Sequence, residues 1–127
     1  GGRSLLLAAL DHRIAACVVS CMMATFASVV PNELDTHSWL FHVPGLWSLM
    51  DWPELTAMGR ARFLVQYRTD DELFPRAGMQ AAHDQLLRLH AGTMRYRGSF
   101  IAGGHSFDAA MQDEAWAFLA EALSPSI

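Results

Sequence analysis

The stretch 14–22, IAACVVSCM, is apolar almost throughout and does not alternate. A strand with one wet face alternates apolar and polar residues; a strand covered on both faces does not. This run therefore predicts a strand inside a parallel sheet with helices on both sides. A second run of the same kind lies at 63–67, within ARFLVQYR, and a third strand with looser alternation is expected around 93–101. Between the second and third, Met79, Ala82, Leu86 and Leu89 recur at helical spacing and predict a helix over 76–91. Phe107, Met111, Ala115, Phe118 and Ala122 predict one face of a last helix over 107–123, with Trp116 on the opposite side and Ser124-Pro125 ending it. Residues 3–10, RSLLLAAL, read as a short buried helix entered through two glycines. Helix, strand, insertion, strand, helix, strand, helix is the order of an α/β fold with parallel strands.

Residues 23–58 break this rhythm. They contain Pro31, Pro44 and Pro53 and three of the four tryptophans, Trp39, Trp47 and Trp52. The segment is too long for a simple connection, so short helices in an irregular insertion are expected. Pro53 suits the first turn of one of them.

A chain of 127 residues with 52% apolar residues can form one packed domain. Only 17% of the residues are charged, low for a free-standing small domain, as if surface normally covered were left bare. The net charge of −4 excludes the clustered cations of a nucleic-acid footprint. Every cation other than histidine is arginine, which excludes a Walker-type phosphate loop, a Schiff-base lysine and a lysine general base. Cys17 and Cys21 are the only cysteines. Along a strand they stand roughly 13 Å apart, too far for a disulfide. Free thiols suit a reducing compartment and a cytoplasmic location. No apolar run is long enough to span a membrane.

Polar residues gather at the two places where strands end. One is Arg68-Thr-Asp-Asp-Glu-Leu-Phe-Pro75, the other Gly103-Gly-His-Ser-Phe107. In a parallel sheet both loops leave from the carboxyl edge, where open α/β sheets hold ligands. Topology thus brings one acid and one histidine together across a long sequence gap. An acid beside an imidazole is the orienting half of a nucleophilic relay. The bland alternatives are an ordinary turn at Thr69-Asp70-Asp71 and an incidental histidine in a glycine loop.

Several of these stretches resemble the α/β-hydrolase superfamily, in particular serine esterases like the acetyl-xylan esterases and dienelactone hydrolases. Phe63 to Pro75 resembles their acid-bearing strand and loop, and Gly103 to Phe107 their histidine loop. Gly1 to Ile14 is similar to the segment that comes after the G-x-S-x-G nucleophile elbow. Pro44-Gly-Leu46 with Asp51-Trp52 resembles the stretch before the acid strand. The resemblance implies that residues 1–127 form the C-terminal portion of a single α/β-hydrolase domain, with 23–58 as the insertion before the acid strand. It implies Asp71 as the acid, since the family's acid sits four residues before a proline, and His105 as the base. The serine would lie one or two residues before Gly1, in a preceding segment or partner chain. If it is the residue just before Gly1, the Gly1 N–H is an oxyanion donor. Ser4, Ser20, Ser38 and Ser106 do not fit the elbow. Two departures stand out: Arg68 where the family has glycine, and Gly59 to Arg62 where it has Ala-Pro-Arg-Pro.

The resemblance implies a carboxylic ester hydrolase with a small-molecule ester substrate and no cofactor, and a 127-residue chain inactive by itself. The rival readings are a serine peptidase of prolyl-oligopeptidase type and a non-catalytic binding protein of the same fold. Trp39, Trp47 and Trp52 are candidates to line a substrate pocket, or else to pack the insertion onto the sheet. His37 with His42, and His83 with His90, lack the third ligand a metal would need, so no metal is expected. Asp108 opens the last helix and is expected to cap it rather than to pair with a histidine.

Overall fold

A computed structural model describes residues 1–124, the side chain of Leu40 aside. The proline of the expected Ser124-Pro125 stop lies outside the described residues. The elements run α1 (Gly2–Leu10), β1 (Ala16–Ser20), α2 (Phe26–Val29), α3 (Leu46–Leu49), β2 (Arg62–Arg68), α4 (Arg76–Leu89), β3 (Tyr96–Ile101) and α5 (Ala109–Leu123). Three 3-10 turns, Leu34–Thr36, Trp39–His42 and Trp52–Ala57, complete the insertion. The strands form one parallel sheet in the order β1-β2-β3, with Val18 opposite Leu64 and Val65 opposite Gly98.

The middle strand is the one covered on both faces. Phe63, Val65 and Tyr67 share a core with Leu5 and Ala8 of α1 and with Met79, Ala82 and Leu86 of α4. Burying Phe63 and Val65 contributes roughly 1.5–3 kcal/mol each. The alternate residues of β2 face α5, where Gln66 Nε2 donates to the Met111 carbonyl at 2.9 Å. Gly78 on α4 has no room for a Cβ, because Ser28 in α2 lies against it. That close approach docks the start of the insertion onto α4.

β1 departs from the expectation of two covered faces. Cys17 and Val19 are buried, but Ala16, Val18 and Ser20 are only half-buried. Val18 and Ser20 face a cavity of about 400 Å³ that Phe107, Trp116 and Leu119 also line. β1 is also an edge strand. The Ala15 carbonyl accepts from Arg62 and the Cys21 N–H donates to Gln66, so odd-numbered residues face β2. Ala16, Val18 and Ser20 turn their backbone groups to the open edge. This edge has none of the lysines, prolines or bulges that blunt natural edges.

Two helical faces also differ at their ends. Leu89 is exposed, since α4 leaves the core in its last turn. Phe107 is half exposed because α5 begins two residues later, at Ala109. Trp116 is exposed, opposite Met111, Ala115 and Phe118. No helix among the described residues is long and apolar enough to cross a membrane.

Candidate active site

The acid loop continues from the carboxyl end of β2 and the histidine loop from that of β3. His105 Nδ1 donates to Asp71 Oδ2 at 2.8 Å. A carboxylate oxygen only accepts, so this contact fixes the ring proton on Nδ1 and leaves the Nε2 lone pair free. The Asp71 side chain is fully buried and that of His105 is 37% exposed, which leaves the ring reachable and hides its orienter. Asp71 Oδ1 accepts from the Leu73 N–H at 2.9 Å, so the carboxylate is held at both oxygens. Asp70 has a different task. Its Oδ2 accepts from the Gly103 N–H at 3.0 Å and its N–H donates to the Gly103 carbonyl at 3.2 Å, stitching the two loops together.

Arg68 is the residue whose role the sequence hid. Its side chain is buried beneath the histidine loop. Nη1 donates to the Ala102 carbonyl at 2.8 Å and Nε to the Gly104 carbonyl at 3.2 Å. Nη2 donates to Ser106 Oγ at 2.6 Å and to Asp108 Oδ2 at 2.7 Å. The guanidinium thus ties together two carbonyls and a hydroxyl of the histidine loop and the cap of α5. Gly103, at φ 120°, passes directly over it, and a Cβ there would come within 3.3 Å of Cζ. Asp108 also accepts from the Met111 N–H at 3.0 Å as the cap of α5. The capping bond and Arg68 hold its carboxyl below the usual range.

His105 opens onto a cavity of about 220 Å³ with Gly2, Cys21, His37, Trp52 and Phe74 in its wall. Gly1 sits at the same edge; a Cβ on it would come within 2.7 Å of Met22 Cβ and 3.2 Å of the Ser20 carbonyl. The start of α1 therefore lies beside the acid–histidine pair. His37 stacks on Phe41 with centroids 4.7 Å apart, and Phe74 lies parallel to His105 at 6.4 Å. Burial pushes the His37 imidazole below its ordinary value.

The tryptophans separate. Trp52 is fully buried in the core and forms the back of the 220 Å³ cavity. Trp47 is 73% exposed and lines an apolar cavity of about 410 Å³ with Phe26, Leu34, Phe41 and Pro44. Trp39 is equally exposed and lines neither. Phe41 is the wall the two cavities share.

His83 on α4 and His90 at its C-cap are bonded within the fold. His90 Nε2 and Thr56 Oγ1 are 2.8 Å apart; the hydroxyl proton goes to the Pro53 carbonyl, so the ring donates. His83 Nδ1 meets the Tyr96 hydroxyl at 2.6 Å. Cys21 was unexpected at the site. It directly follows β1 at φ 51°, the left-handed region that non-glycine residues seldom occupy. Its thiol donates to the Ser106 carbonyl at 3.2 Å.

No family model matches the chain, and no curated protein matches it in sequence. Among solved structures, one neighbour is a protein from Klebsiella pneumoniae subsp. pneumoniae MGH 78578 provisionally described as a dienelactone hydrolase. It is 14% identical, with a TM-score of 0.56 over 96% of this chain and 47% of its own. Another is esterase PE8, 29% identical, with a TM-score of 0.43 over 56% of this chain and 34% of its own. The first likeness shows the fold alone: a parallel sheet flanked by helices, of the α/β-hydrolase type. The chain spans about half the length of that neighbour.

Proposed function

We propose that this chain carries the acid and the base of a carboxylic ester hydrolase whose serine precedes Gly1. The observation that carries the reading is the Asp71–His105 pair, with a buried acid, an accessible ring and a free Nε2 lone pair at the carboxyl edge of the sheet. Two features support an upstream strand. The backbone edge of β1 is open and apolar, and Gly1 lies against the end of that same strand.

In this reading the serine hydroxyl attacks the ester carbonyl as His105 Nε2 takes its proton. Asp71 keeps the ring oriented and stabilises the imidazolium. The Gly1 N–H and a donor from an earlier loop hold the oxyanion. His105 then gives the proton to the departing alcohol, and activates water to release the acid. The apolar cavity behind Phe41 takes the apolar part of the substrate, with Trp47 in its wall. The free thiols of Cys17 and Cys21 suit a reducing compartment, and we place the protein in the cytoplasm on that ground.

Turnover of a nitrophenyl ester by the protein extended upstream of Gly1 tests this. His105→Ala and Asp71→Asn are each expected to lower kcat by about 10³-fold or more. Residues 1–127 alone are expected to give no turnover. Undiminished turnover in His105→Ala, or turnover by the isolated chain, contradicts the assignment. Loss in His105→Ala with little change in Asp71→Asn transfers the orienting role away from Asp71.

A further inference from the structure

We propose that Cys21, Asp71 and His105 together bind one thiophilic divalent cation, of which zinc is the best match. One ligand atom from each of the three lies within 4.8 Å of the others. The set combines a sulfur, an imidazole nitrogen and a carboxylate oxygen, the three donor types zinc accepts. Around a tetrahedral zinc, with bonds of about 2.0–2.3 Å, such donors stand roughly 3.3–3.6 Å apart. The Asp71–His105 contact of 2.8 Å must open slightly and Cys21 Sγ must close in. His105 and Cys21 both line the 220 Å³ cavity, which leaves room for a water as fourth ligand.

Charge favours the site. Cation binding displaces the thiol proton to solvent, and a thiolate and a carboxylate then neutralise the two positive charges. No other cysteine can substitute, because Cys17 is buried inside the sheet.

The consequence for the acid–histidine pair holds whichever ring nitrogen binds. A cation on Nε2 consumes the lone pair that would accept a proton. A cation on Nδ1 leaves the neutral ring with its proton on Nε2. Either way His105 is no longer a base, so a bound cation shuts the pair off. This consequence, unlike the binding itself, rests on the proposed hydrolase reading.

Titration of the metal-free chain with Co²⁺ tests the site. A thiolate-to-cobalt charge-transfer band is expected, saturating at one Co²⁺ per chain and displaced by Zn²⁺. It should vanish in Cys21→Ser, weaken or vanish in His105→Ala, and persist in Cys17→Ser. No band in the unaltered chain, or a band that survives Cys21→Ser, overturns the proposal. The readout needs no turnover, so the two readings fail separately. A band in the chain, with no ester turnover by the metal-free protein extended upstream of Gly1, sinks the hydrolase and leaves the cation site, while turnover by that extended protein without a band in the chain does the reverse.

Discussion

The acid–histidine corner and the insertion meet at Phe74, yet they are held by different forces. In the corner, one buried guanidinium and Asp70 satisfy the backbone of a glycine-containing loop, and Asp71 holds its histidine ring, through directional hydrogen bonds. In the insertion, Phe26, Phe41, Trp52 and Phe74 pack ring against ring, with centroids 5.1–6.2 Å apart in the contacting pairs that include Phe41. A polar anchor, Asp51, accepts from the Phe26 and Trp52 N–H groups and forms a capping box with Glu54. Directional bonds fix a geometry to fractions of an ångström, as a proton relay requires. Aromatic packing tolerates small shifts, as the wall of a substrate cavity can.

The largest expected effect lies in the insertion. Trp52→Ala removes a fully buried side chain and should cost about 3–5 kcal/mol in denaturant unfolding. Arg68→Ala should cost somewhat less, about 3 kcal/mol, because it strands loop carbonyls away from water. The two should differ in kind. Arg68→Ala should also expose the amides of 102–106 to hydrogen exchange before global unfolding. Equal protection of that loop in both variants would erase the distinction between the regions.

Acid separates the regions next. Burial lowers His37 in the insertion wall and also His90, whose ring donates to Thr56 beneath the insertion's last turn. Both are held neutral when folded. Below about 6.5 the unfolded chain takes up these protons first. Their stabilisation is therefore complete above that value and lost as the pH falls through the lower folded values. Thermal unfolding scanned from pH 7 to pH 5 should show a falling Tm, with a shallower slope in His90→Gln. The smallest effect belongs to Trp39→Ala. Its exposed ring touches neither cavity, and a change within about 0.5 kcal/mol is expected.

Much of the fold was legible because burial leaves a pattern. The apolar run of β2 and the helical spacing of Met79, Ala82 and Leu86 mark the elements that occupy the core. An acid beside His105 was legible because polar residues stand where strands end; the family resemblance, not the spacing, singled out Asp71 over Asp70. Arg68 was not: its partners are mainly backbone carbonyls, which every residue carries and no sequence distinguishes. Against the family pattern it was only a departure; in the fold it clamps the histidine loop. Cys21 was hidden for a related reason. Its place at the site depends on a backbone turn at φ 51°, which a cysteine gives no reason to expect. The half-covered face of β1 was illegible because an apolar run does not say whether its cover is present in the same chain.

The central claim is that the Asp71–His105 pair serves a serine outside residues 1–127. A fluorophosphonate probe on the protein extended upstream, with the adduct located by peptide mass mapping, tests it most directly. The expected result is one adduct on a serine within two residues before Gly1, formed far more slowly in His105→Ala. An adduct on Ser4, Ser20, Ser38 or Ser106, or labelling that ignores His105, would contradict it.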